Sequence, residues 1–135
     1  MNLSFRLNKT VDFIFDYLTD MQKFVTVHPI IYQIDKINQD EYLVHETLKF
    51  GFMPFSFTYP VYIESNVIEK TVLMKATVMK LTKIEIKFVL KTDNNFTMIE
   101  ENIQIVSLLP IKSLVESIFR KQHTQLFKNI ELVIA

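Results

Sequence analysis

Lys83-Ile84-Glu85-Ile86-Lys87-Phe88-Val89-Leu90-Lys91, the turn Asp93-Asn94-Asn95 and the run from Phe96 to Val106 decide the fold of this chain. Ile84, Ile86, Phe88 and Leu90 stand against Lys83, Glu85, Lys87 and Lys91, the period-two pattern of a strand with one dry face and one wet face. The polar turn sends the chain back as a second strand, with Ile99, Glu101, Ile103 and Ile105 on one side. Pro110 then stands near the start of a helical segment running toward Ile134, about 25 residues that span roughly 37 Å at 1.5 Å per residue. Strand alternation giving way to one long closing helix implies a curved sheet wrapped around that helix.

Upstream the same alternation repeats. Val72, Met74, Ala76 and Val78 share a face, as do Phe55, Phe57, Tyr59, Val61 and Ile63. Tyr42, Val44, Glu46, Leu48 and Phe50 share another, and Ile30, Tyr32 and Ile34 precede them across the turn Asn38-Gln39-Asp40. Gly51, the only glycine, sits where a strand must reverse and supplies freedom at positive φ. At the amino terminus Leu3, Phe5 and Leu7 alternate with Ser4, Arg6 and Asn8. The period then changes to helical: Val11, Ile14, Phe15 and Leu18 follow Asn8 and Thr10 as possible caps, and Asp20 can cap a turn or two carrying Met21, Phe24 and Val27. Pro29 disfavours helix at His28. The expected architecture is α+β: a seven-stranded curved antiparallel sheet around a long C-terminal helix, with two short helices after strand 1.

The 135 residues suit one domain, spanning 1–135, that buries about two thirds of its unfolded surface. Fifteen Lys plus Arg balance fifteen Asp plus Glu, which leaves no excess charge for a phosphate backbone and argues against nucleic acid. The chain has no Cys, hence no disulfide framework, thiolate zinc site or thiol nucleophile, and a reducing, cytoplasmic location is expected. The start MNLSFRLNKTVDF lacks the apolar segment of a signal peptide, and no stretch approaches the roughly 18 apolar residues of a membrane span. Three scattered His residues without an HExxH pair argue against a metal, and a single glycine leaves no phosphate-cradling loop for a nucleotide cofactor. No nucleophile elbow is present. No cofactor is expected.

The order and spacing of three segments carry a family resemblance: the early strand and helical pair ending in His28-Pro29, the strand Tyr42-Leu43-Val44-His45-Glu46, and the closing Phe119-Arg120-Lys121-Gln122-His123-Thr124-Gln125-Leu126-Phe127-Lys128-Asn129-Ile130. Nearly the whole chain resembles the START-like helix-grip superfamily (SRPBCC), in its polyketide cyclase/dehydrase and lipid-transport branch. The resemblance implies a hydrophobic ligand held between sheet and closing helix. Some members transport lipids or bind quinone-like molecules, a minority catalyse cyclisation or dehydration, and no catalytic residue is common to all. Asn38-Gln39-Asp40 is too short, and lacks the glycines, for the Gly-rich loop of the plant pollen-allergen branch.

Glu46 is the sharpest anomaly, because parity places it on the inward face with Tyr42 and Val44. Within an apolar cavity its pKa rises and it suits acid–base work or a hydrogen bond to a ligand; at the rim of a curved sheet it instead reaches water or pairs with Lys or Arg. Of Glu100 and Glu101, adjacent on a strand, Glu101 shares its face with Ile99 and Ile103 and is the better inward candidate unless a bulge exposes both. His123 lies one helical turn from Phe119 and from Phe127, so it points into the same space and can pair with Glu46 or Glu101. A carboxylate–imidazole pair of this kind is the one catalytic constellation the residues allow, although a hydrogen-bonded core His is the commoner use. Tyr42 and Tyr59 complete the candidate polar residues.

The expected lining comes from six strands and the helix: Tyr32, Val44 and Leu48; Phe55, Phe57 and Val61; Met74 and Ala76; Ile86 and Phe88; Ile103; and Ile118, Phe119 and Leu126. Leu48 to Phe57 holds four of the twelve phenylalanines. Phe50, Phe52 and Met53 near its turn form a candidate portal, which serves as an apolar lip, a transient membrane contact or a partner surface unless it folds back onto the helix. The expected function is binding or transport of a hydrophobic or amphipathic small molecule such as a lipid, isoprenoid or aromatic polyketide. A cyclase or dehydratase using Glu46, Glu101 and His123, and a protein-interaction module with a filled core, are the rivals. The residues leave the oligomeric state open.

Overall fold

A computed structural model describes residues 1–134, apart from the side chain of Phe50. The chain runs β1 (Asn2–Leu7), α1 (Val11–Thr19), α2 (Met21–Val27), β2 (Ile31–Asn38), β3 (Glu41–Phe50), β4 (Met53–Asn66), β5 (Thr71–Val78), β6 (Thr82–Asp93), β7 (Phe96–Ser107) and α3 (Lys112–Leu132). The seven strands form one antiparallel sheet in the order β1-β7-β6-β5-β4-β3-β2. Every neighbour in the sheet except β1–β7 is a chain neighbour joined by a short turn.

Local chemistry places the helices. The Thr10 hydroxyl accepts from the Phe13 N–H at 3.2 Å, and Asp20 accepts from the N–H groups of Gln22 (3.0 Å) and Lys23 (3.3 Å), so each short helix has the side-chain cap its sequence allows. Gly51 has φ +64° in the β3–β4 turn. The closing helix is shorter than its periodicity implies, 21 residues ending at Leu132, and it starts at Lys112 with Ile111 at the capping position and no side-chain cap. Val133 is already extended.

The strand β2 departs from the expected parity. Ile31 pairs with Glu46 and Gln33 with His45, so Tyr32 is the extra residue of a β-bulge. The bulge turns Ile31 and Ile34 inward and leaves Tyr32 58% exposed, lying beside the His45 ring on the outer surface. Tyr32 is therefore not a lining residue. A bulge adds one residue without changing composition, so alternation alone does not reveal it.

The interior has two halves. Under β1, β7 and β6, the second half of α3 is packed solid: Leu126, Phe127 and Ile130 are buried against Ile99, Ile103 and Phe88, and the Phe127 ring lies 4.6 Å from Phe5 and 5.9 Å from Phe88. Asn129 ties this half of α3 to α2 by donating to the Val27 carbonyl at 2.8 Å. Under β3, β4 and β5 the first half of α3 stands away from the sheet.

Candidate functional site

That separation leaves a cavity of about 340 Å³. The inward faces of β2, β3, β4, β5 and β6 form its wall, Met21, Phe24 and His28 its flank, and Leu114 to His123 of α3 its roof. Val44, Leu48, Phe55, Phe57, Val61, Met74, Ala76, Ile86, Phe88, Ile118 and Phe119 all face it. Ile103 and Leu126 do not; they are 1% and 0% exposed in the packed half, where the helix touches the sheet too closely for a void. Tyr42 shares the parity of Glu46 but lies farther along β3, where it borders a surface cleft with Thr19, Asp20 and Lys36 rather than the cavity. Phe52 and Met53 are 91% and 63% exposed at the turn and do not fold back onto the helix. The side chain of Phe50 lies outside the described residues.

Polar groups gather at one wall. Glu46 is buried and faces the cavity, and the Tyr59 hydroxyl donates to its carboxylate at 2.8 Å across the β3–β4 pair. Burial pushes the Glu46 carboxyl up from the ordinary value, while the Tyr59 hydrogen bond and the charge of His123 oppose the rise. Tyr59 is raised well above the ordinary phenol, by burial first and then by the adjacent carboxylate.

His123 takes Glu101 rather than Glu46 as its partner. Glu101 sits on the inward face of β7, and its Oε2 accepts from His123 Nδ1 in a buried pair, which leaves His123 Nε2 without a hydrogen bond among the described residues. Glu101 itself lies behind the imidazole, not on the cavity wall, and its Oε1 has no partner among the described residues. Only His123 presents this pair to the cavity.

His28 joins the site through the turn that Pro29 enforces. Its Nδ1 accepts from the backbone N–H groups of Ile30 (3.2 Å) and Ile31 (3.1 Å), so the ring proton resides on Nε2. The ring lines the cavity, with Phe24 at 5.3 Å and His123 at 6.5 Å between centroids. Burial, and secondarily the charge of His123, lowers its pKa from 6.5 to about 3. Sequence reasoning gave His28 the turn but missed its place in the cavity; its position one turn after Phe24 was the available signal. Gln122 and Thr82 were missed as well, and Thr82 spends its hydroxyl on Ser107 at 2.8 Å.

The depressed His28 value has a definite sign. The unfolded chain takes up this proton near pH 6.5 and the folded chain only near pH 3, so the stability contributed by neutral His28 is complete above about 6.5 and is lost as the pH falls toward 3. With the residue's partial exposure discounted, the loss is about 2 to 4 kcal/mol. Urea melts of the wild type and His28→Gln across this range are expected to converge at low pH; a gap that stays constant assigns His28 a purely steric role.

The family model for CoxG, a carbon monoxide dehydrogenase subunit, matches residues 4–135. Among solved structures, the chain is similar to the di-domain ARO/CYC BexL from the BE-7585A biosynthetic pathway, with 11% identity, TM-score 0.83, 98% of this chain covered and 46% of that one. This chain thus spans about half of that protein. It is similar to a START superfamily protein from Mycobacterium smegmatis, with 11% identity, TM-score 0.78, and 97% and 93% of the two chains covered. It is likewise similar to the Zhui aromatase/cyclase from Streptomyces sp. R1128, with 6% identity, TM-score 0.70, and 97% and 90% covered. At these identities the likeness is one of fold: START-like, with the sheet gripping the closing helix. No curated protein matches the chain.

Proposed function

We propose, for a chain that belongs to the family of the carbon monoxide dehydrogenase protein CoxG, that the cavity binds a hydrophobic or amphipathic small molecule such as a lipid, an isoprenoid or an aromatic polyketide. The observation that carries this reading is the unfilled space between β2–β6 and the first half of α3, apolar on almost every side with polar groups on one wall. Apolar ligand surface removed from water there contributes roughly 25 cal/mol per Å², before ordering costs. Two carboxyl groups near that wall, Glu46 on it and Glu101 behind His123, disfavour an anionic ligand head. A hydroxyl or carbonyl head suits the Glu46 carboxyl and the His28 Nε2–H.

Native mass spectrometry of freshly purified protein, followed by organic extraction, tests the reading. A bound apolar species with a neutral polar head is expected. Protein that is empty and also fails to take up a long-chain alcohol or an environment-sensitive dye is not a carrier. The substitution Glu46→Gln keeps the shape and the Tyr59 contact but removes the titrating group, so the fold should persist while the set of extracted molecules changes. Carboxyl NMR is expected to place Glu46 above its ordinary value; an ordinary value with identical extracts removes Glu46 from the site.

One observation favours a second reading, a cyclase or dehydratase. The free Nε2 of His123 faces the cavity while Glu101 holds the other ring nitrogen, an arrangement suited to moving a proton on a bound ligand. Among the similar structures, BexL is named a di-domain ARO/CYC and Zhui an aromatase/cyclase, at identities of 11% and 6%. Incubation of the extracted ligand with wild type and His123→Gln separates the readings, since a carrier returns it chemically unchanged from both.

A further inference from the structure

The closing helix carries two apolar rows at i, i+4 spacing: Leu114, Ile118, Leu126 and Ile130 in one, and Val115, Phe119 and Phe127 in the other. A single turn interrupts both. Gln122 stands in the first row and His123 in the second, at the depth where the void ends and the packed core of Leu126 and Phe127 begins. Two more apolar residues would have continued the rows and closed the core without burying a polar atom.

The polar side chains that border the cavity are His28, Glu46, Tyr59, Thr82, Gln122 and His123. All but Gln122 are held by other groups of the protein. Glu46 and Tyr59 take each other, Thr82 takes Ser107, His123 takes Glu101, and Nδ1 of His28 takes two backbone N–H groups. The Gln122 amide makes no hydrogen bond among the described residues, although the residue is only 8% exposed. A buried amide without a partner opposes folding, because its donors and its acceptor give up water and gain nothing in return. The open space that borders it is the cavity.

We propose that Gln122 is a specificity-determining residue of the cavity, its amide hydrogen-bonding the neutral oxygen head of the bound molecule. The inference rests on the ligand-binding reading and adds to it the residue that selects the head. The amide donates through Nε2 and accepts through Oε1, so it answers a hydroxyl or a carbonyl without needing a charge. His28, whose ring lies 6.5 Å from that of His123, the next residue after Gln122, bounds the same seat from the turn after α2. A molecule of the same shape with no hydrogen-bonding head leaves the amide as unanswered as it is in the empty protein. Selectivity built in this way comes from the penalty of the mismatch.

Displacement of Nile red from the full chain by 1-decanol and by 1-chlorodecane tests the proposal, since the two chains match and only the alcohol carries a hydrogen-bonding head. Gln122→Met keeps the length of the side chain and removes the amide. It should weaken 1-decanol about five- to tenfold, the scale of one neutral hydrogen bond, and leave 1-chlorodecane unchanged or tighter. The urea midpoint of the ligand-free variant should equal or exceed that of the wild type, because an unanswered polar group has been removed. In the wild type, the side-chain amide protons of Gln122 should move downfield in NMR spectra with 1-decanol and not with 1-chlorodecane. Equal weakening of both probes, no change in either, or amide protons indifferent to the alcohol overturns the proposal. A lower urea midpoint overturns it too, since the amide then has its partner in the empty protein. Failure of 1-chlorodecane to displace the dye from the wild type refutes the ligand-binding reading and the proposal with it, whereas 1-chlorodecane binding with an indifferent Gln122→Met refutes the proposal alone.

Discussion

His123→Ala is expected to destabilise the fold by about 3 to 5 kcal/mol, the cost of leaving the buried Glu101 carboxyl without its hydrogen-bonded imidazole partner. The partners are almost fully inaccessible, at 3% and 1% exposure. Glu101 Oε1 has no partner among the described residues, so loss of the imidazole leaves both oxygens unanswered in an environment of Ile99, Ile103 and Phe88. The double variant His123→Leu with Glu101→Met removes the polar atoms together and should recover most of the loss, because an apolar replacement of similar volume needs no partner. Urea denaturation of the two single variants and the double variant closes the cycle. A single-variant loss below about 1 kcal/mol means that water reaches the pair, and a double variant no better than the singles means that shape rather than polarity is at stake.

Leu126→Ala follows at about 2 to 5 kcal/mol. Leu126 is completely buried in the packed half of the interior, between His123 one turn before it and Ile130 one turn after, with Phe127 beside it. These neighbours are held by the sheet and cannot collapse into the space left behind, which places the cost toward the upper part of the range. Lys128→Ala, on the exposed face of the same helix, should change stability by less than about 0.5 kcal/mol. Equal effects at the two positions would falsify the assigned helix face.

The fold was legible because alternation survives almost everywhere. Ile84, Ile86, Phe88 and Leu90 face inward as their spacing implies, and so do Val72 and Met74, because a sheet with one covered face must sort its side chains by parity. The exception is Tyr32, where the bulge opposite His45 and Glu46 resets the parity of β2. The closing helix was legible in its buried face and overextended at its ends, since apolar residues such as Leu109 and Ile134 continue its pattern without belonging to it.

The candidate site was legible one residue at a time. Parity and helical spacing bring Glu46, Glu101 and His123 inward by local rules alone. Which carboxylate meets the imidazole is set by how α3 lies across the sheet, and that lie puts His123 on Glu101 of β7 while Tyr59, diagonally across the β3–β4 pair from Glu46, takes Glu46. The same placement divides the interior: Leu126 and Ile103 carry the same apolar signature as Ile118 and Met74, yet the first two fill a core and the last two border a void. Sequence by itself determined the elements, their order and the faces they bury, because these follow from periodicity and turn chemistry within a few residues. Tertiary structure alone decided where helix and sheet touch and where they part, because that distance depends on the summed volume of side chains from seven strands and three helices, which no local pattern records.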